Sequence, residues 1–189
     1  MTRRLISSIS LSFLLSVFCL AQSVPDEQLL RDAVQLHQAG KYAAAISDYE
    51  LFLKAHPDGA MIRSNLGAAL VHEGRYADAV REYKLALAAD PANTGIRFNL
   101  ALAYYKSGDL AQAVPEFNAV RKSAEAGDPQ QRRATVLEAE CYLAQGNDKR
   151  TIELLEPLAS DPSSDLATLY LLGTALIHDN QQERGAEQI

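Results

Sequence analysis

Apolar residues return at helical spacing along most of the chain, in runs separated by Gly, Asp-Pro and other turn-forming residues. The stretch NLGAALVHEGRYADAVREY, residues 65–83, is typical. It reads as amphipathic helix, yet Gly67 and Gly74 stand where a helix former would cost up to ~1 kcal/mol less. Those glycines must answer to something other than local propensity.

Sliding the chain along itself shows what they answer to. Gly40, Gly74 and Gly108 are 34 residues apart, as are Ala45, Ala79 and Ala113, then Ile46, Val80 and Val114, then Tyr49, Tyr83 and Phe117. Asn65-Leu66 returns as Asn99-Leu100, and Pro57 as Pro91. A fixed period of this length predicts stacked repeats, each a pair of antiparallel helices. Gly40, Gly74, Gly108 and Gly146, with Asn180 in the equivalent place, fall where the first helix must end with φ > 0. Small residues at Ala33, Gly67, Ala101, Ala139 and Gly173, facing Ala45, Ala79, Ala113, Thr151 and Gly185, predict close helix pairing. Large residues at Leu36, Leu70, Tyr104, Tyr142 and Leu176, and at Tyr49, Tyr83, Phe117 and Leu155, fill the space around it. The turns HPDG, DPAN and DPSSD supply Pro to stop a second helix and Asp, Asn or Ser to cap the next first helix.

On these positions the chain resembles the tetratricopeptide repeat family: residues 60–93 carry Leu66-Gly67, Gly74-Arg75-Tyr76, Ala79, Tyr83, Ala86 and Pro91 in the family's places. The resemblance implies an all-α, right-handed α-solenoid with repeats at 26–59, 60–93, 94–127 and 132–165 and a partial repeat at 166–189, together forming one domain over 22–189. Departures from the pattern carry expectations of their own. The family's Trp position holds Leu29, Arg63, Arg97, Thr135 and Leu169, predicting a smaller or more polar contact there. Phe52 replaces a typical Ala, and Pro115 removes a hydrogen bond inside a second helix. Between the third and fourth repeats the glycine spacing grows from 34 to 38, predicting a longer helix or loop in AEAGDPQQRR. The sequence stops at Ile189 near the middle of a second helix, and a fragment of a longer protein is the expectation.

Residues 1–21 read as a secretory signal: a basic MTRR, a serine-diluted apolar run, and Cys19-Leu20-Ala21 at the cleavage site. The run is too short for the ~20 apolar residues of a spanning helix. Export to the periplasm or the medium, with no stable membrane span after cleavage, is the expectation. Losing Arg3 and Arg4 from 18 basic residues against 24 acidic ones takes the formal charge from −6 to −8. An acidic chain without a basic stripe argues against nucleic acid as partner. Cys141 alone remains after cleavage, so the mature chain holds no internal disulfide.

Candidate chemistry is sparse. His72-Glu73 begins like a zinc-protease helix, but Tyr76 stands where the second His belongs. Gly40-Lys41 echoes a phosphate loop, but Tyr42 follows in place of Ser or Thr. No His lies at helical spacing from Cys141, and none of His37, His72 and His178 has a carboxylate or Cys three or four residues away. No enzyme, metal or cofactor is expected.

The resemblance instead implies a concave wall of first helices that takes a protein or peptide. Six tyrosines, at 42, 49, 76, 83, 104 and 142, sit at framework positions, whereas Tyr105 and Tyr170 do not. Phe98, Leu102 and Tyr105 form an i, i+4, i+7 stripe beside the committed Leu100, Ala101 and Tyr104. Phe98, Leu102, Tyr105 and Tyr170 are therefore the expected apolar anchors, and Asn65 and Asn99 the expected polar registers, with His72 and Lys106 flanking. The family's clamp for chaperone-tail carboxylates is missing: only Asn65 matches, and Leu30, Val34, Gly95 and Asn99 occupy its other places. The expected function is a non-catalytic binding scaffold of the bacterial envelope or exterior. The alternative is a docking arm of a longer envelope-assembly protein or enzyme, and the uncovered C-terminal end is a second place for association.

Overall fold

The computed structural model describes residues 26–123, 128–161 and 164–189. The expected leader lies outside them, as do residues 124–127 of the linker. Among the described residues there are ten α-helices and no strand: α1 Asp26–Gln38, α2 Tyr42–Ala55, α3 Ala60–His72, α4 Tyr76–Ala89, α5 Thr94–Lys106, α6 Leu110–Ser123, α7 Pro129–Ala144, α8 Asp148–Ala159, α9 Leu166–His178 and α10 Gln182–Ala186. They stack as five antiparallel pairs, an all-α solenoid. No described helix is long and apolar enough to cross a membrane.

The turn glycines do what the period demanded. Gly40, Gly74, Gly108 and Gly146 have φ of 72°, 73°, 80° and 72°, and Asn180 has 64°. Each reverses the chain so that the next N–H donates back to the carbonyl of the large framework residue: Lys41 to Leu36, Arg75 to Leu70, Asp109 to Tyr104, Asn147 to Tyr142 and Gln181 to Leu176, at 2.8–3.0 Å. One residue thus packs the pair with its side chain and closes the turn with its backbone. At the helix starts, Asn93, Asp128 and Asp165 accept from the N–H of Ile96, Gln130 and Thr168. The HPDG turn departs from that expectation: Gly59 occupies the N-cap of α3, with no side chain capping it.

Gly67 makes room for an aromatic ring. A Cβ there would lie 2.8 Å from two ring carbons of Tyr83, so the close approach is to Tyr83 rather than to Ala79. In the last pair backbone meets backbone, with a Cβ on Gly173 falling 2.9 Å from the Gly185 carbonyl oxygen. In the fourth pair Thr151 brings a hydroxyl to the contact, its single proton shared between the Ala139 carbonyl at 3.3 Å and the Asn147 carbonyl at 3.2 Å.

Where the family places Trp, Arg63 and Arg97 build a polar staple with the same 34-residue period. Arg63 donates to Glu82 at 2.7 Å and to the Pro57 carbonyl, and Arg97 donates to Glu116 at 2.8 Å and to the Pro91 carbonyl. Each arginine ties the first helix to its own second helix and to the turn before it. The third junction is different. Glu138 of α7 is completely buried and accepts from Arg121 Nε at 2.8 Å and Asn118 Nδ2 at 2.9 Å, both on α6.

The widened spacing is absorbed as expected. α7 has 16 residues and begins at Pro129, ahead of the expected repeat start at 132. Pro115 does not break α6, and Pro157 likewise sits inside α8. Two apolar clusters form the core, one running from Ala33 to Cys141 and one from Ala139 to Leu176. Both draw on α7, whose Ala134 and Cys141 belong to the first and Ala139 to the second.

Among the first helices α3 touches α5 and α7 touches α9, whereas no two second helices make a comparable contact. The first-helix side is therefore the shorter arc of the stack, the inner wall of a curve.

Candidate functional site

The inner wall carries two depressions of about 400 Å³ each, one on either side of Leu102. The first lies between α3 and α5 and is lined by Ala68, Val71, His72, Asn99 and Lys106, with Tyr76 and Tyr83 reaching in from α4. The second lies between α5, α7 and the start of α9. Leu102, Val136, Leu137 and Ala167 line it with Arg132, Arg133 and Asp165. Leu102 is half-buried, so it forms a low saddle between the two.

Of the six residues expected here, Asn99 and Leu102 meet at the saddle. Asn65 lies half-buried one repeat earlier on α3, and neither asparagine amide has a hydrogen-bond partner among the described residues. Tyr170 is 60% exposed on α9 and lines neither depression. Phe98 is a correction. It is only 5% exposed, packs edge-on against Phe117 at 5.8 Å, and lies under the Arg133 guanidinium at 5.1 Å. It is a core residue and offers no surface anchor. Tyr105 is half-buried, and its hydroxyl donates to Glu140 Oε2 at 2.8 Å. That hydrogen bond, reinforced by burial, pushes the phenol up to about 12. The physical reason is shared: α7 lies over the far side of α5, so most of the Phe98–Leu102–Tyr105 stripe is a helix interface. Leu102 lines both depressions, whereas Tyr105, half-buried like it, lines neither.

Arg132, Arg133, Val136 and Leu137 were not among the expected site residues. The signal was available, because Arg133, Val136 and Leu137 stand 38 residues after Gly95, Phe98 and Asn99, the spacing of the shifted glycines.

At the first depression's rim, aromatic rings bridge the first two repeats. Tyr42 stacks on His72 at 4.1 Å with an interplanar angle of 4°, while His37 lies edge-on to Tyr42 at 5.4 Å and 6.3 Å from His72. The Tyr49 hydroxyl is 3.5 Å from His37 Nδ1. Burial first, and the nearby His72 second, hold the His37 pKa below its ordinary value. The folded chain therefore resists protonation of His37 more than the unfolded chain does. The resulting stability is present above the ordinary imidazole pKa of about 6.5 and is lost as pH falls through the lowered folded value. Thermal melting between about pH 8 and about pH 5 should show a smaller acid-side drop in His37→Gln than in the parent; equal drops would remove His37 from the account.

Cys141 is fully buried, and burial pushes its thiol up to about 12, far from the thiolate a nucleophile needs. His178 pairs with Asp148 at 3.1 Å, and no cluster of three or more potential metal ligands occurs among the described residues.

A tetratricopeptide repeat family model matches residues 33–94 and 98–165, and a second tetratricopeptide repeat model matches residues 70–125. Among solved structures, MamA from Desulfovibrio magneticus aligns with a TM-score of 0.78 at 17% identity, covering 86% of this chain and 90% of that one. YrrB, described as a TPR protein with an unusual peptide-binding site, aligns at 0.73 and 16% identity over 85% of this chain and 80% of its own. TPR-like repeats of a kinesin light chain from Podosopora anserina align at 0.70 and 20% identity, covering 86% and 90%. A search of curated proteins found no match. At these identities the structural likeness speaks for the fold.

Proposed function

Because the chain belongs to the tetratricopeptide repeat family, we propose that it is a non-catalytic scaffold that holds a protein or peptide segment on its inner wall, in the bacterial envelope or outside the cell. The observation that carries the reading is the pair of depressions meeting at Leu102, bordered by Asn99 and preceded by Asn65, whose amides have no partner among the described residues. Such amides present both donors and acceptors to a guest backbone, while the apolar lining takes its side chains. The peptide-binding description of YrrB supports the class of partner. The leader-like start of the sequence supports export.

Affinity capture from envelope extracts with the mature chain, read by mass spectrometry, tests the reading against a Leu102→Asp variant. Leu102 is half-buried and faces the groove, so the variant should keep its helical circular dichroism. A charge placed between the depressions should weaken capture roughly tenfold or more. Equal capture by a folded variant would remove the groove from the proposal.

A further inference from the structure

The inner wall does not share the charge of the whole chain. The chain is acidic at −6, and among its described arginines 31, 63, 75, 81, 97, 121, 150 and 184 all lie within 4.0 Å of a carboxylate. Arg132 and Arg133 do not, and both line the second depression. Arg132 Nη2 is buried without a hydrogen-bond partner. Arg133 rests on the Phe98 ring, a contact worth about 0.5–1 kcal/mol at exposed sites, which leaves its hydrogen-bond donors free. Both stand one turn into α7, whose N-terminal end is already capped by the Asp128 carboxylate accepting from Gln130 N–H at 2.7 Å, so that carboxylate is engaged with backbone. The carboxylate lining the depression, Asp165, serves first as the N-cap of α9, accepting from Thr168 N–H at 2.8 Å; it attracts Arg132 electrostatically without a hydrogen bond or close ion pair to it. Nearby Glu140 is held by Tyr105.

The geometry points to a guest segment in which an acidic residue sits beside an apolar one: the carboxylate meets Arg132 and Arg133 while the apolar side chain enters the Leu102, Val136, Leu137 and Ala167 hollow. The inference rests on the groove reading above and narrows it to one chemistry. A planar guanidinium pairs with a carboxylate through two parallel hydrogen bonds, and the orphaned Arg132 donor would gain the partner it lacks. The chain's carboxylates elsewhere repel such a segment, which favours the cationic stretch of the wall formed by Arg132 and Arg133 and, across Leu102, Lys106.

The test is selection of random seven-residue peptides on the mature chain, in parallel with a variant carrying Arg132→Gln and Arg133→Gln. The parent should enrich Asp or Glu next to Leu, Ile or Phe. The variant should keep the apolar preference, lose the acidic one, and bind a fluorescein-labelled peptide from the parent's selected pool roughly tenfold more weakly in anisotropy titrations. An unchanged melting profile would exclude a folding defect as the cause. Apolar enrichment without acidic residues, or acidic enrichment that survives in the variant, overturns the inference and leaves the groove reading standing. Selection of nothing by the parent overturns both.

Discussion

Arg121→Ala should cost about 3–5 kcal/mol of unfolding free energy, although Arg121 is a second-helix residue far from any expected site. Its Nε donates at 2.8 Å to Glu138, whose side chain has no solvent exposure, and the remaining support of that carboxylate is the Asn118 amide at 2.9 Å. Removing the guanidinium leaves a buried charge held by one neutral donor, and burying an unpaired charge costs far more than losing a surface ion pair. Arg121→Met combined with Glu138→Met should recover most of the loss, since a buried ion pair replaced by apolar side chains is often neutral. Denaturant titrations of the single and double variants provide the measurement. A single variant within 1 kcal/mol of the parent would show that the pair does not carry the third junction. Because α7 feeds both apolar clusters, the single variant should also separate unfolding of the first cluster from the second, visible as a broadened or two-step transition.

Gly67→Ala should destabilise the chain, against the propensity gain of up to ~1 kcal/mol that alanine brings to a helix interior. The new Cβ would fall 2.8 Å from two ring carbons of Tyr83 and 3.1 Å from a third. Tyr83 is 2% exposed, so either its ring must shift within the depression it lines or the second helix must move away. Overpacking of this kind costs about 1–3 kcal/mol. The other pairs sharpen the comparison. Ala33 opposite Tyr49 and Ala101 opposite Phe117 show that this place accepts alanine beside an aromatic ring once the ring is seated for it, which limits the cost. Ala139 faces the smaller Leu155, and all six are buried. Tyr83→Leu in the Gly67→Ala background should therefore relieve the clash, because Leu155 beside Ala139 is the arrangement the fourth pair already uses. Thermal melting of the three variants decides it, and a stabilised Gly67→Ala would mean that the ring is free to shift.

The fold was legible because its signals are local and recur. A residue that must take φ near +72° is nearly confined to glycine or asparagine, so the five turns could be found without knowing what packs on what. The residue on which each turn closes was legible as a core position, but its backbone role appears only in three dimensions. The staples were half legible. Arg63 and Arg97 stood out as departures from a pattern, while Glu82 and Glu116 show the same 34-residue spacing but offered no sign that they face the arginines across a helix pair. Glu138 has no periodic counterpart in the staples, and nothing in the sequence distinguishes it from a solvated glutamate.

The groove was the least legible part. Apolar residues on both sides of α5 showed that both sides are covered, but what covers the second depends on how the linker sets α7 against it. The longer α7 took Phe98 and the hydroxyl of Tyr105 for itself, and in exchange it brought Arg132 and Arg133 to the wall. Those arginines lie outside the 34-residue register and follow only the 38-residue one that begins with the longer α7.

That junction between α6 and α7 also divides the molecule in a historical sense. The first three hairpins are closed by interchangeable parts, a glycine turn and, in two of them, the same Arg–Glu–Pro fastening, so one could be duplicated or lost and its neighbours would still meet familiar surfaces. The fourth is keyed: Arg121 and Asn118 recognise one glutamate that no other hairpin offers at that place. Gain and loss of copies in this lineage should then be confined to the hairpins before α5, with those from α5 onward inherited as a fixed block.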